Sequence, residues 1–101
     1  MKTICNYKEL SGQQSAPSVL SGIGNPIHEK KQVLHFLKKF EAEVVQARAM
    51  MDYIANDSLP RSVECYTDGE YVWTSEDIYH FEKYNIKLND DFIQYVLNRP
   101  E

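Results

Sequence analysis

The longest periodic pattern of apolar residues lies between residues 27 and 56, where no glycine or proline interrupts the chain. Apolar side chains recur there at alternating steps of four and three, which places them on one face of an α-helix. They are Val33, Leu37, Phe40, Val44, Ala47, Met51 and Ile54, with Leu34 and Met50 widening the stripe. The pattern predicts one long helix from an Asn25 cap to a stop before Pro60. Such a helix would span about 45 Å, which leaves open a break near residues 39–43.

A β-hairpin is predicted at about residues 62–74. Two β-favouring runs flank Asp68-Gly69, and Asp-Gly between such runs is the strongest short-range hairpin signal. A two-stranded ribbon alone is marginally stable in water. We therefore expect the hairpin to pack on the long helix and to recruit a third strand from residues 2–7. Trp73 is expected to be buried between the hairpin and the C-terminal helices.

Two short helices are predicted after the hairpin. The first covers residues 75–84 and ends at Asn85. Its N-terminal cap is either Thr74 with Asp77, or Ser75 with the acidic pair that follows it. The second begins after Asn89 and carries a compact apolar face. The sequence therefore predicts the α+β class, with one long N-terminal helix, a hairpin and two short C-terminal helices.

Length and composition predict one domain preceded by a less ordered segment. Residues 1–26 are rich in Ser, Gly, Pro and Gln, which is typical of a mobile or loosely packed terminus. Residues 27–101 are expected to form a single compact α+β domain. With 43% hydrophobic residues in 101, the chain has enough apolar side chains for one core.

The net charge of −4 argues against nucleic acid and anionic membranes as partners, because both attract basic faces. The two cysteines, Cys5 and Cys65, form no CxxC pair, and neither a signal peptide nor a membrane span is visible. These features predict a cytoplasmic protein with reduced thiols.

The strongest candidate for chemistry is His80, which shares a helix face with Glu76 and Asp77. One interpretation is a partial metal site or a small hydrolase, but three good ligands from one helical turn are rare. The alternative, a pair of capping carboxylates beside a surface histidine, is favoured. We expect a protein that is not an enzyme and that has no metal and no cofactor.

The charge distribution indicates a binding face in the last third of the chain. From Glu64 onward there are nine acidic residues and three basic ones, interleaved with tyrosines and Trp73. Tyr and Trp dominate binding hot spots, and an acidic face steers a basic partner. The candidate partner-binding residues are Asp68, Glu70, Tyr71, Glu76, Asp77, Tyr79, Glu82, Tyr84, Asp90 and Asp91.

A family resemblance is carried by the segment YTDGEYVWTSEDIYHFEKYNIKLNDDFIQYVL, from Tyr66 to Leu97. With Asp52-Tyr53-Ile54 before it, this pattern resembles small bacterial immunity proteins encoded beside secreted toxins, including contact-dependent growth inhibition systems. The match covers roughly residues 33–98. It departs at residues 39–41, where relatives often have a loop and this chain continues a helical pattern. The resemblance implies a cytoplasmic, non-enzymatic inhibitor that binds a toxin domain, for example a nuclease with a basic cleft.

A different class of function is also compatible with the sequence. The apolar stripe over residues 33–54 fits a helical dimer interface, as in a small adaptor or regulatory protein. The oligomeric state is left open at this point, with a monomer preferred.

Overall fold

The computed structural model describes residues 2–99 and shows an α+β fold around a four-stranded mixed sheet. The strand order is β1-β4-β3-β2, with β1 parallel to β4 and the other neighbours antiparallel. In chain order the elements are β1 (Lys2–Thr3), α1 (Lys8–Ser11), a 3-10 turn (Val19–Gly22), α2 (Lys30–Lys38), β2 (Val44–Asp52), β3 (Asp57–Thr67), β4 (Tyr71–Thr74), α3 (Ser75–Tyr84) and α4 (Asp90–Leu97). No helix within residues 2–99 is long and apolar enough to cross a membrane.

The prediction of one long helix over residues 27–56 is wrong. The helix α2 ends at Lys38, and residues 44–52 form β2, which pairs with β3 in an antiparallel hairpin. Two adjacent β-branched residues, Val44 and Val45, favour a strand at this point. At the predicted helix end, Asn56 is instead the last residue of the hairpin turn and Asp57 begins β3. Asn56 has a positive φ of 61°, which asparagine tolerates.

The loss of the long helix also removes the helical dimer interface over residues 33–54. Val33 and Leu37 lie on α2 and are fully buried in the core. Val44 lies on β2 and is 56% exposed. These side chains therefore share no helix face, and an adaptor that dimerises through that stripe is not compatible with the fold.

The Asp68-Gly69 hairpin is confirmed. Strands β3 and β4 pair with Tyr66 opposite Trp73, and Gly69 takes a φ of 101°. The Asp68 carboxylate accepts hydrogen bonds from the N–H groups of Glu70 and Tyr71, at 3.0 and 2.8 Å. The expected third strand is present too, because β1 adds to the free side of β4.

The two C-terminal helices are confirmed at their predicted positions. The first turn of α3 is closed by a capping box in which Thr74 and Asp77 accept each other's backbone N–H groups. Asn85 ends α3 in the left-handed conformation, with a φ of 56°. Asn89 precedes the first turn of α4.

The core lies between the sheet and helices α2 and α4. Trp73 is 1% exposed, as expected, and its ring lies 5.7 Å from Phe36 and 6.4 Å from Phe92, measured between centroids. The N-terminal segment contributes to the same core through buried Ile4, Cys5, Tyr7 and Val19. A backbone hydrogen bond from Lys87 to Gly22 ties this segment to the chain between α3 and α4.

Candidate partner-binding surface

A row of buried polar side chains on α3 faces the outer edge of β2. The Glu76 carboxylate accepts the N–H of Met51 at 2.8 Å and binds both terminal nitrogens of Arg48, at 3.0 and 2.8 Å. One turn further, the His80 ring accepts the N–H of Tyr53 through Nε2, at 3.0 Å. One N–H near the end of this edge strand, that of Met51, and one in the turn after it, that of Tyr53, therefore bind side chains of α3.

His80 is fully buried, and both of its ring nitrogens are engaged. Because Nε2 accepts from Tyr53, Nδ1 must carry the proton that it donates to the Glu76 carbonyl oxygen, 2.7 Å away. No ring lone pair remains for a metal or a substrate proton. Within residues 2–99, no group of three or more His, Cys, Asp or Glu side chains is arranged to hold a metal ion. The hydrolase interpretation of His80 therefore gains no support from the geometry.

Tyr79 and Tyr84 attach the β2–β3 turn to α3. Both hydroxyls donate to Oδ2 of Asp52, at 2.7 and 2.6 Å, and both rings are half-buried. Although burial raises the pKa of the Asp52 carboxyl, the N–H of Ala55 and the two hydroxyls outweigh it and hold that pKa far below its usual range. These tyrosines therefore have a structural role and offer only part of each ring to a partner.

Asp77 is buried beneath the first turn of α3. Its Oδ2 accepts the Thr74 N–H at 2.9 Å, and the Cys5 thiol donates to Oδ1 at 3.8 Å. Burial raises the pKa of the Asp77 carboxyl to about 7, and the charge on Glu76 adds to the rise against the lowering effect of the Thr74 N–H. Burial also raises the pKa of the Cys5 thiol well above its usual range, so Cys5 stays protonated.

The raised pKa of Asp77 predicts a loss of stability between about pH 4 and 7. In that window the folded state holds a proton that the unfolded state has released, so unfolding becomes easier as the pH rises. The free energy of unfolding should fall by up to about 1.4 kcal/mol per pH unit. Urea titrations at pH 4.5 and 7 check this slope. In the Asp77→Asn variant, the free energy of unfolding should depend less on pH. An equal pH dependence in both proteins would contradict the raised pKa of Asp77.

Four more of the candidate residues have partners within the fold. Tyr71 is 3% exposed and packs on Phe92 and Tyr95. The side chain of Asp68 is 1% exposed and lies 3.5 Å from Arg99. Glu70 pairs with Lys2 at 3.3 Å, and Glu82 pairs with Lys38 at 2.9 Å. Most of the acidic excess seen in the sequence is therefore buried or neutralised locally.

Asp90 and Asp91, at the start of α4, are exposed like Glu70 and Glu82 but differ from them in having no lysine partner. Neither makes an ion pair within the part of the chain that the structure describes. Asp90 also borders an apolar groove of about 610 Å³. Asp90 thus places an acidic side chain at the border of an apolar surface.

The groove lies where residues 21–29 meet the end of α3 and the start of α4. Its apolar lining comprises Ile23, Ile27, Phe81, Ile86, Leu88 and Ile93. Ile23 and Ile27 remain 46% and 38% exposed, and Leu20, on the adjacent 3-10 turn, is 57% exposed. Glu29, Asp90 and Lys87 border it, so its rim is acidic by one charge. We call these residues the α4 groove.

Sequence reasoning did not find the α4 groove, because its two sides are about 60 residues apart along the chain. The available signal was a cluster of apolar residues, Leu20, Ile23 and Ile27, within an otherwise polar segment. Comparison with protein families, curated proteins and solved structures finds no match for this chain.

Proposed function

We propose that the chain is a non-enzymatic immunity protein that binds and neutralises a cognate bacterial toxin domain through the α4 groove. The observation that carries the proposal is the combination of exposed Ile23 and Ile27 with Asp90, an exposed carboxylate on the border of the groove that makes no ion pair within residues 2–99, and with its exposed neighbour Asp91. An apolar depression with a charged rim is the usual anatomy of a protein-binding site.

The chemistry of the groove defines what the partner presents. A large apolar side chain inserted among Ile23, Ile27 and Phe81 is removed from water and acts as the energetic anchor. Lysine or arginine side chains around that anchor meet Asp90 and Asp91, and the opposite charges accelerate encounter. A basic toxin domain, for example a nuclease with a cationic cleft, has these properties. The resemblance of residues 66–97 to immunity proteins supports the same conclusion.

Under this proposal, the ten candidate residues have different roles. Asp90 and Asp91 become the primary contacts. Glu70 and Glu82 remain exposed and available, although each already has a lysine partner. The buried residues, Tyr71, Glu76 and Asp77, act by holding the fold.

The test is co-expression with the product of the gene immediately upstream. We expect that product to arrest growth alone and the present chain to restore growth and form a stable complex with it. Ile23→Lys should weaken the complex by roughly 30-fold or more, because a charge replaces an apolar contact at the anchor. Asp90→Asn with Asp91→Asn should lower the association rate by about tenfold at low salt and less at high salt. Kinetics on the purified pair measure both effects.

The matched control is Asp57→Asn, at an exposed carboxylate that begins β3 and does not line the groove. It should leave the association rate unchanged, and thermal melts should show all variants folded. Growth arrest that the chain fails to relieve would end the immunity proposal. A complex that tolerates both groove changes would instead place the interface elsewhere on the molecule.

A further inference from the structure

We infer that the α4 groove recognises an extended, cationic segment of the partner chain, which lies along the groove and continues around the start of α4. This rests on the proposed function of the groove and adds the form of the ligand, a single run of backbone instead of a folded surface.

The α4 groove does not end at Asp90. It shares five lining residues with a second depression of about 530 Å³, namely Tyr7, Pro17, Lys87, Leu88 and Asp90. The second depression shares Asn89 and Asp91 with a third, of about 250 Å³, beside Tyr71. We call the three depressions together the extended groove.

The extended groove turns around the N-terminal end of α4. Consecutive residues of a helix point about 100° apart, so the step from Asp90 to Asp91 covers about a quarter of the circumference of α4. A straight helix cannot follow such a turn, whereas an extended chain can. The shape therefore favours a ligand without secondary structure of its own.

One wall of the α4 groove offers backbone groups to such a ligand. The chain is extended at Ile23, with φ −62° and ψ 132°, and the carbonyl oxygen of Gly22 before it accepts the N–H of Lys87. Gly24 and Asn25 line the groove, and their N–H and C=O groups form no backbone–backbone hydrogen bond within residues 2–99. A Cβ atom at Gly24 would meet no atom nearer than 3.6 Å, so a second chain has room there. An extended ligand is held at such a wall by main-chain hydrogen bonds.

The charges along the extended groove select a cationic segment. Glu29, Asp90 and Asp91 line it and form no ion pair within residues 2–99. Of its two outward lysines, Lys2 is already paired, and Lys87 has no ion pair within the same residues. Three carboxylates against one ammonium leave two net negative charges, and the positive end of α4, about half a charge, does not reverse the sign. Basic side chains on the ligand are therefore favoured and acidic ones are repelled.

The extended form of the ligand defines its sequence pattern. Successive side chains of an extended chain point to opposite sides, so every second one faces the same wall. An apolar side chain among Ile23, Ile27 and Phe81 is then followed or preceded by basic side chains at every second position, beside Asp90 and Asp91. The ligand motif is one large apolar residue with alternating lysine or arginine residues on one side of it.

The experiment is an NMR titration of the ¹⁵N-labelled chain with short synthetic peptides. The probes are acetyl-Gly-Leu-Ser-Lys-Ser-Lys-Gly-amide and the peptide with the reversed sequence. At least one of them should bind with a Kd below about 1 mM, and the amide signals of Gly24, Asn25 and Asp91 should shift most. Replacing the leucine by serine, or both lysines by glutamate, should raise the Kd by about tenfold or more.

Two further changes test the backbone and the charges separately. N-methylation of alternate peptide residues removes the donors on one side of the ligand, and one of the two alternate sets should raise the Kd by about fivefold. Asp90→Asn with Asp91→Asn should raise the Kd of the unmodified peptide by a similar factor and make it less dependent on salt. Asp57→Asn, away from the groove, is the matched control and should leave the Kd unchanged.

The outcomes separate the form of the ligand from the function of the protein. Absence of peptide binding, equal Kd values for the lysine and glutamate peptides, or signal shifts confined to residues outside the extended groove would overturn the inference. If the chain neutralises a toxin through the groove and yet binds none of the peptides, the proposed function stands and the linear ligand is refuted. If it binds the lysine peptide and fails to relieve growth arrest, the linear ligand stands and the immunity proposal ends.

Discussion

Replacing Trp73 by alanine is expected to lower the free energy of unfolding by about 3 to 5 kcal/mol, the usual cost of deleting a large aromatic side chain from a core. Trp73 is 1% exposed and contacts Phe36 and Phe92, so its removal leaves a cavity between the sheet and two helices. The indole N–H also donates to the carbonyl oxygen of Leu37 at 3.2 Å. That carbonyl lies in the last turn of α2 and loses its side-chain partner.

Urea unfolding followed by circular dichroism measures this effect. Trp73→Phe is the matched variant, because it keeps most of the ring contacts and loses the hydrogen bond. We expect it to be clearly less destabilised than Trp73→Ala. A loss below about 1 kcal/mol for the alanine variant would be typical of a surface residue and would contradict the burial of Trp73.

Replacing Arg48 by alanine is expected to cost about 3 kcal/mol, although its side chain is half exposed. The reason lies with its partner, because Glu76 is 2% exposed and its carboxylate would remain buried without a counter-charge. Removing one member of such a pair is far more costly than the net value of the pair itself. The same carboxylate holds the N–H of Met51, so the edge of β2 loosens with it.

A second substitution tests this explanation. Adding Glu76→Gln to Arg48→Ala should recover part of the lost stability, since a neutral amide oxygen still accepts the Met51 N–H and needs no counter-charge. Arg61→Ala serves as the control, because Arg61 is exposed and forms no ion pair within residues 2–99. It should change stability by no more than about 0.5 kcal/mol. If Arg48→Ala and Arg61→Ala lower the free energy of unfolding equally, then Glu76 is not a buried charge that needs Arg48 as its partner.

The elements that were predicted correctly depend on local chemistry. The Asp68-Gly69 turn, the Thr74–Asp77 capping box and the left-handed Asn85 each use residue types that satisfy the backbone within a few positions. Such signals can be read from a short window of sequence.

The strand β2 was missed because it is bulged. A regular half-buried strand alternates apolar and polar side chains, whereas the register of β2 against β3 shifts between Val45 and Ala49 and again before Met51. Each shift breaks the alternation. The remaining apolar spacing of three and four residues matches the period of a helix, and the polar residues Asn56 to Ser58, before Pro60, were interpreted as its end.

The candidate surface was only partly predictable for a related reason. Whether an acidic residue is free depends on partners that are distant in sequence, such as Arg48 for Glu76 and Lys38 for Glu82. Once β2 is taken for a helix, the pairing of Arg48 with Glu76 cannot be anticipated. Asp90 and Asp91 are exposed, whereas Glu76 and Asp77, at the same first-turn position of α3, are buried. A position in the first turn of a helix therefore did not decide which carboxylates are free.

The contacts between the two ends of the chain determine when folding can finish. The hydroxyl of Tyr7 donates to the carbonyl oxygen of Lys87, and the N–H of Asn89 donates to the carbonyl oxygen of Ile4. These contacts close loops of about 80 residues, and closing long loops slows folding. During synthesis, Ile4 and Tyr7 are made about 80 residues before the Lys87 and Asn89 groups that they bind. The N-terminal segment can therefore complete these contacts only after residues 87–89 have been made, and until then part of its apolar surface is available to chaperones.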